Sequence, residues 1–168
     1  MMHLVENPAK SVLCVGHISR NRYEDAAFQK YYHTRLRTLY RSLSSEGIDT
    51  YLHVRWDLFD TVSASLLRTV KAELIADYRL PYIFLMGVFD NGAPLVETPP
   101  YMEYFDEVMF PQNDDARLTE DGLLHDVLRN VHTVLFDHAD DDPFVEAILG
   151  RASRRRKRLL DVNLSPME

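Results

Sequence analysis

Residues 82–89 read YIFLMGVF, a run that is apolar throughout. A strand with one wet face alternates polar and apolar side chains. A short run with no polar side belongs instead to a central parallel strand covered on both faces. Such a strand requires neighbours in a sheet and helices above and below it, and the rest of the chain has to supply them.

It does so in alternation. Residues 11–18, SVLCVGHI, form a second apolar run with β-branched members, and Gly16 signals a turn. Between residues 24 and 45, Phe28, Tyr32, Leu36, Leu39 and Leu43 recur at steps of three and four, the apolar face of a helix that Gly47 stops. Residues 50–56 alternate, with Leu52, Val54 and Trp56 opposite Tyr51, His53 and Arg55, as in a strand with one apolar face. Asp60 or Ser63 caps a helix whose face is Leu66, Leu67, Val70, Leu74 and Tyr78, and Pro81 limits it. After the 82–89 strand, Asn91-Gly92 makes a turn, and Pro94, Pro99 and Pro100 rule out one long helix over 93–106. Residues 107–110 suit a short strand. Thr119 caps a helix running to about residue 136, with Leu124, Val127, Leu128, Val131 and Leu135 inward. Asp142 and Pro143 open a last helix reaching about residue 160.

Strands alternating with helices predict an α/β domain over residues 1–150. Its form is a three-layer Rossmann-like (flavodoxin-like) sandwich, with a mainly parallel sheet of four to five strands and helices on both faces. Residues 151–168 follow as a basic helix end or tail. At 168 residues the chain is one domain, large enough to need no metal or disulfide staple. A single cysteine, Cys14, placed inside the first strand, excludes an internal disulfide framework and a Cys-rich zinc site. No apolar run approaches a membrane span, and the opening MMHLVENPAK lacks the plan of a signal peptide, so the expected location is the cytoplasm, away from membranes.

Charge narrows the partners. The net charge is −7, yet residues 151–168 carry +4, which leaves −11 for residues 1–150. An acidic body does not suit a general nucleic-acid binder. Only the run RASRRRKR at 151–158 could touch a nucleic acid or another acidic surface. The alternatives are a solvated helix end or a pairing with Asp137, Asp140, Asp141 and Asp142.

In parallel sheets ligands bind outside the carboxyl ends of the strands, which makes three loops candidate site material. In residues 16–23, Gly16 lets a ligand approach the backbone. Ser19 and the helix-start amides could hold a phosphate or a sugar hydroxyl, Arg20 and Arg22 could neutralise an anion, and His17 and Tyr23 complete the loop. Neither a Walker loop nor a dinucleotide fingerprint is present. In residues 55–60, Trp56 beside Asp57 suits a base or sugar pocket, the ring stacking and the carboxylate accepting hydroxyl protons, although a core-edge Trp and a helix cap fit the same residues. The third loop, 87–97, ends in Glu97, a surface acid or a crevice carboxylate. On the second helix, Glu73 lies between Val70 and Leu74. A carboxylate beside apolar groups either has a raised pKa, as a nucleophile or acid–base group requires, or is held by a partner; the alternative is an exposed acid beside Lys71. The seven histidines contain no H-E-x-x-H, and His125 and His132 stand two helical turns apart, too far to share a metal. No metal site is expected.

The segment VLCVGHISRNRYEDAAFQKYYHTRLRTLYRSLSSEGIDTYLHVRWD, residues 12–57, resembles the opening of the nucleoside 2-deoxyribosyltransferase superfamily, which includes deoxynucleotide N-hydrolases. Gly16-His17-Ile18-Ser19 stands at that family's first loop, with a histidine in place of a small residue or proline. The resemblance covers about the first 135 residues as topology and the first loop as motif. It implies cleavage or transfer of an N-glycosidic bond in a nucleoside or nucleotide: a carboxylate attacks C1′, and water or a second acceptor resolves the glycosyl-enzyme. The implied nucleophile is Glu73 in one register and Glu97 in another. Asp57 would contact sugar hydroxyls, while Ser19, Arg20 and Arg22 would favour a 5′-phosphate. No cofactor is implied. The family's small members complete their pocket across a dimer, and the aromatic first helix, with Tyr31, Tyr32 and Tyr40, is compatible with a homo-oligomer as well as with a wide core-facing stripe. Two alternatives remain open: a TIR-like domain that cleaves NAD or senses nucleotides, and a non-catalytic binding module working through the basic tail.

Overall fold

The computed structural model describes residues 5, 7–77, 83–89, 103–109 and 120–163. Among them are six strands, β1 (Ser11–Gly16), β2 (Thr50–His53), β3 (Phe84–Val88), β4 (Glu107–Met109), β5 (Thr133–Asp137) and β6 (Arg158–Asp161). The helices are α1 (Arg20–Tyr23), α2 (Ala26–Ser45), α3 (Leu58–Ala76), α4 (Glu120–Arg129) and α5 (Pro143–Arg154). Every strand pair is parallel, in the order β4-β3-β2-β1-β5-β6. The chain therefore winds outward from β1 to β4, returns to the other side of β1, and winds outward again. The sheet has one or two more strands than expected, and the sandwich is otherwise the expected one.

Two apolar layers hold it together. On one face Val12 and Cys14 of β1, Tyr51 of β2 and Leu85 of β3 pack against Tyr32, Leu36, Tyr40 and Leu43 of α2 and Phe59, Leu67 and Val70 of α3. On the other face Leu13, Val15, Leu52 and Met86 meet Leu124, Val127 and Leu128 of α4 and Val145 and Ile148 of α5. Cys14 is buried as expected, and burial pushes its thiol up to about 12, which leaves it a core residue rather than a nucleophile.

Three expectations need correcting. First, β2 has no wet face, since Tyr51 and His53 are as buried as Leu52. One polar atom of each finds a partner inside: Tyr51 donates to the Tyr40 carbonyl at 3.4 Å, and His53 Nε2 meets Ser63 Oγ at 2.7 Å, while the buried His53 Nδ1 makes no hydrogen bond. Burial pushes His53 down to about 3, so it sits in the core uncharged.

Second, the third long helix of the sequence reading, α4, stops at Arg129, where the Asn130 side chain turns back onto the Asp126 carbonyl at 2.7 Å. Residues 133–137 are a strand instead. Val134 and Leu135 are adjacent in sequence and buried in opposite apolar layers, which a strand allows and a helix does not. Leu135 happens to continue the helical spacing from Val131.

Third, α5 ends at Arg154 rather than near residue 160. Arg156 adopts φ +56°. The Lys157 amide bonds the Ala152 carbonyl at 3.0 Å, and the chain then enters β6 beside β5. The basic run is thus a helix end plus an edge strand. Its charges face α4 and the end of α2: Arg155 lies on His125, and Arg158 pairs with Glu46 at 2.5 Å.

Tyr32 and Tyr40 belong to the core, whereas Tyr31 is 55% exposed. No helix among the described residues is long and apolar enough to cross a membrane. The 91–92 turn, the Thr119 cap and Glu97 lie outside the described residues.

Candidate functional site

The strand order reverses between β1 and β5, and such a reversal opens a crevice at the carboxyl ends of the two strands. Three loops meet there: residues 17–19 after β1, residues 54–57 after β2 and residues 138–142 after β5. Each leads into a helix through a capping side chain. Ser19 Oγ accepts from the Arg22 amide at 3.3 Å to start α1. Asp57 starts α3, accepting from the Phe59 amide at 3.0 Å in a capping box that Asp60 closes. Asp142 starts α5, accepting from Phe144 and Val145 at 2.9 and 3.1 Å. Caps satisfy helix amides that have no partner within their own helix. Here they also bring carboxylates to the mouth of the crevice.

Gly16 shows why β1 ends in a glycine. A Cβ at this position would lie 2.8 Å from the Phe59 ring and 3.0 Å from Asp137 Cβ. What approaches the Gly16 backbone is therefore the protein's own packing.

The polar groups form two linked knots. In the first, His17 Nδ1 donates to Asp57 Oδ2 at 2.7 Å and the Ile18 amide donates to Asp57 Oδ1 at 3.1 Å. Arg55 clasps Asp142 with two bonds of 2.7 and 2.8 Å, lies 3.6 Å from Asp57, and stacks over the Phe144 ring at 4.6 Å. The Arg55 guanidinium holds the Asp142 carboxyl down at about 2. In the second knot, Asp137 is buried with Arg22 and Tyr32 both donating to it, and its other oxygen accepts from the Ala139 amide and Asn163 Nδ2, each at 3.0 Å. Arg22 also reaches Asp140 at 3.2 Å, and Asp140 accepts from the Ser19 amide at 2.9 Å. Four carboxylates thus face two guanidiniums and one imidazole. Beneath the first knot, Asp60 is fully buried and accepts from the Asp57 amide at 3.0 Å. Burial raises its carboxyl well above the ordinary range.

Of the residues singled out in the sequence, Gly16, His17, Ser19, Arg22 and Asp57 come together here. Arg20 is exposed on α1. Tyr23 turns to His33, its hydroxyl 2.6 Å from Nε2. Trp56 is half-buried and stacks on Phe89, the ring centres 4.1 Å apart. Glu73 stands elsewhere. It lies sixteen residues along α3 from Asp57, about 24 Å at 1.5 Å per residue. There it is paired with Arg37 and Arg41 of α2. Glu97 lies outside the described residues. Arg55 opened a candidate loop without a role of its own, and Asp137, Asp140 and Asp142 were not expected as site residues. The signal for three of them was the run D-H-A-D-D-D-P, which becomes a strand-end loop once 133–137 is read as a strand.

His17, Asp57 and Asp142 each offer one ligand atom within 4.8 Å of the others, close enough to share a cation. Arg55 already faces both carboxylates. With Nδ1 committed to Asp57, the His17 ring is held by a carboxylate, leaving Nε2 as its acid–base atom.

No protein-family model matches the chain, and no curated protein matches it.

Proposed function

We propose that the crevice between β1 and β5 binds a nucleoside or nucleotide and cleaves or transfers its N-glycosidic bond. The observation that carries this reading is the His17–Asp57 pair flanked by Arg55–Asp142 at the switch point of the sheet. Carboxylates at this density suit a ligand rich in hydroxyl donors, such as a sugar. The oriented imidazole is able to protonate a leaving base at Nε2 while positive charge develops on the sugar. That charge is favoured by the surrounding acids. In this scheme a carboxylate forms the bond to C1′ as the C–N bond breaks, the base leaves with the proton, and water releases the sugar. The resemblance of the first loop to the deoxyribosyltransferase superfamily supports the same chemistry. Glu97, on the connection after β3, is the proposed nucleophile, because Glu73 is spent on two arginines far from His17.

A second reading rests on one observation: each carboxylate of the described cluster is already bonded, which fits a site that binds without reacting.

Chromatography of mixtures of the protein with deoxynucleosides, deoxynucleotides, ribonucleotides and NAD tests both. Free base from a nucleoside or nucleotide is expected, lost in Asp57→Asn and Glu97→Ala and kept in Glu73→Ala. Nicotinamide released from NAD alone would favour a TIR-like activity. Binding with no base released from any substrate would establish the binding module.

A further inference from the structure

The site's selectivity for phosphate follows from how its first loop is used. Where a strand-to-helix loop binds an anion, successive backbone amides and a cationic side chain point at the ligand. Here the loop amides are already taken by the protein itself. The His17 amide donates to the Asp137 carbonyl at 3.3 Å, the Ile18 amide to Asp57 at 3.1 Å and the Ser19 amide to Asp140 at 2.9 Å. Arg22 adds a contact of 3.2 Å to the same oxygen of Asp140. Asp140 Oδ2 therefore sits between a loop amide and a guanidinium, the pair of donors a phosphate oxygen would use. The position is occupied by a carboxylate of the chain, and Asp57, Asp137 and Asp142 stand around it.

We infer that the site takes a nucleoside without a 5′-phosphate and that Asp140 sets this preference by holding the phosphate position, an inference that rests on the nucleoside reading above. A phosphate entering here must displace Asp140 and then face three further carboxylates. A sugar hydroxyl meets no such repulsion and donates to the same oxygens. The Asp140 side chain is 27% exposed, so removing its carboxylate opens the position to solvent rather than sealing a cavity.

Calorimetric titration of matched pairs, each deoxynucleoside against its 5′-monophosphate, tests this on the full chain. Wild-type protein is expected to bind the nucleoside at least about tenfold more tightly, and Asp140→Ala to shrink that ratio by about tenfold. Asp140→Asn keeps an acceptor for the Ser19 amide and removes the charge, and it should fall between the two. Inorganic phosphate should raise the melting temperature of Asp140→Ala and leave wild type unchanged. Equal affinities in wild type, or a ratio unmoved in both variants while nucleosides still bind, overturns the inference and leaves the nucleoside reading standing. If no nucleoside or nucleotide binds the folded wild-type protein, both fall together.

Discussion

Both ends of the sheet hold carboxylates against arginines, and the two ends are built differently. At the carboxyl end, Arg22 and Arg55 reach Asp137 and Asp142 across 115 and 87 residues of chain, from loops that meet only because β1 lies between β2 and β5. At the amino end, Arg37 and Arg41 of α2 meet Glu73 of α3 across 36 and 32 residues, side by side on packed helices. Burial separates them further: Asp137 is 0% exposed, whereas Glu73 is 24% and Arg37 49% exposed. Water therefore screens the pairs of Glu73 more than the pair that Arg22 makes with Asp137. The same residue types therefore form a fixed polar site at one end and a helix-to-helix tie at the other.

The largest expected effect breaks the buried knot. Asp137→Ala leaves the Arg22 guanidinium and the Tyr32 hydroxyl facing a vacated buried position, and should cost about 3–5 kcal/mol in chemical denaturation. Next, Arg55→Met strips Asp142 of its two-bond partner and should cost about 1.5–3 kcal/mol.

That second pair also has a pH signature. The Asp142 carboxyl is held at about 2, below its ordinary 3.8. Its stabilisation is thus complete above 3.8 and is lost as the pH falls towards 2. Asp142→Asn should flatten the stability curve in that window. Equal slopes in variant and wild type would show that Arg55 does not hold Asp142 in solution.

At the amino end, Glu73→Ala should cost less than about 1 kcal/mol. A loss as large as that for Asp137→Ala would erase the contrast between the two ends. The smallest effect belongs to Arg158–Glu46, where both side chains are exposed. Glu46→Gln should change stability by a few tenths of a kcal/mol, about, at low salt and by less as salt is added.

Much of this was legible in the sequence, and the remainder was hidden for definable reasons. The strands at 11–16 and 84–88 announced themselves as apolar runs, and α2 and α3 by their spacing. His17, Ser19, Arg22 and Asp57 stood directly after legible strands, so a rule about strand ends was enough to mark them. Asp137, Asp140 and Asp142 depended on β5, and β5 was masked because Leu135 extends the spacing of α4. The partners of Glu73 were hidden for another reason. Its neighbours Val70 and Leu74 reveal the apolar stripe of α3 but not which helix packs across it, and that helix carries Arg37 and Arg41.

The most direct measurement is a calorimetric titration of the preferred deoxynucleoside into wild type, Asp57→Asn and Glu73→Ala, each shown to be folded. Binding weakened by about tenfold or more in Asp57→Asn and unchanged in Glu73→Ala is the expected result, and it places the ligand at the carboxyl end. Binding that survives Asp57→Asn and disappears in Glu73→Ala would contradict the account, because the working site would then lie at the other end of the sheet.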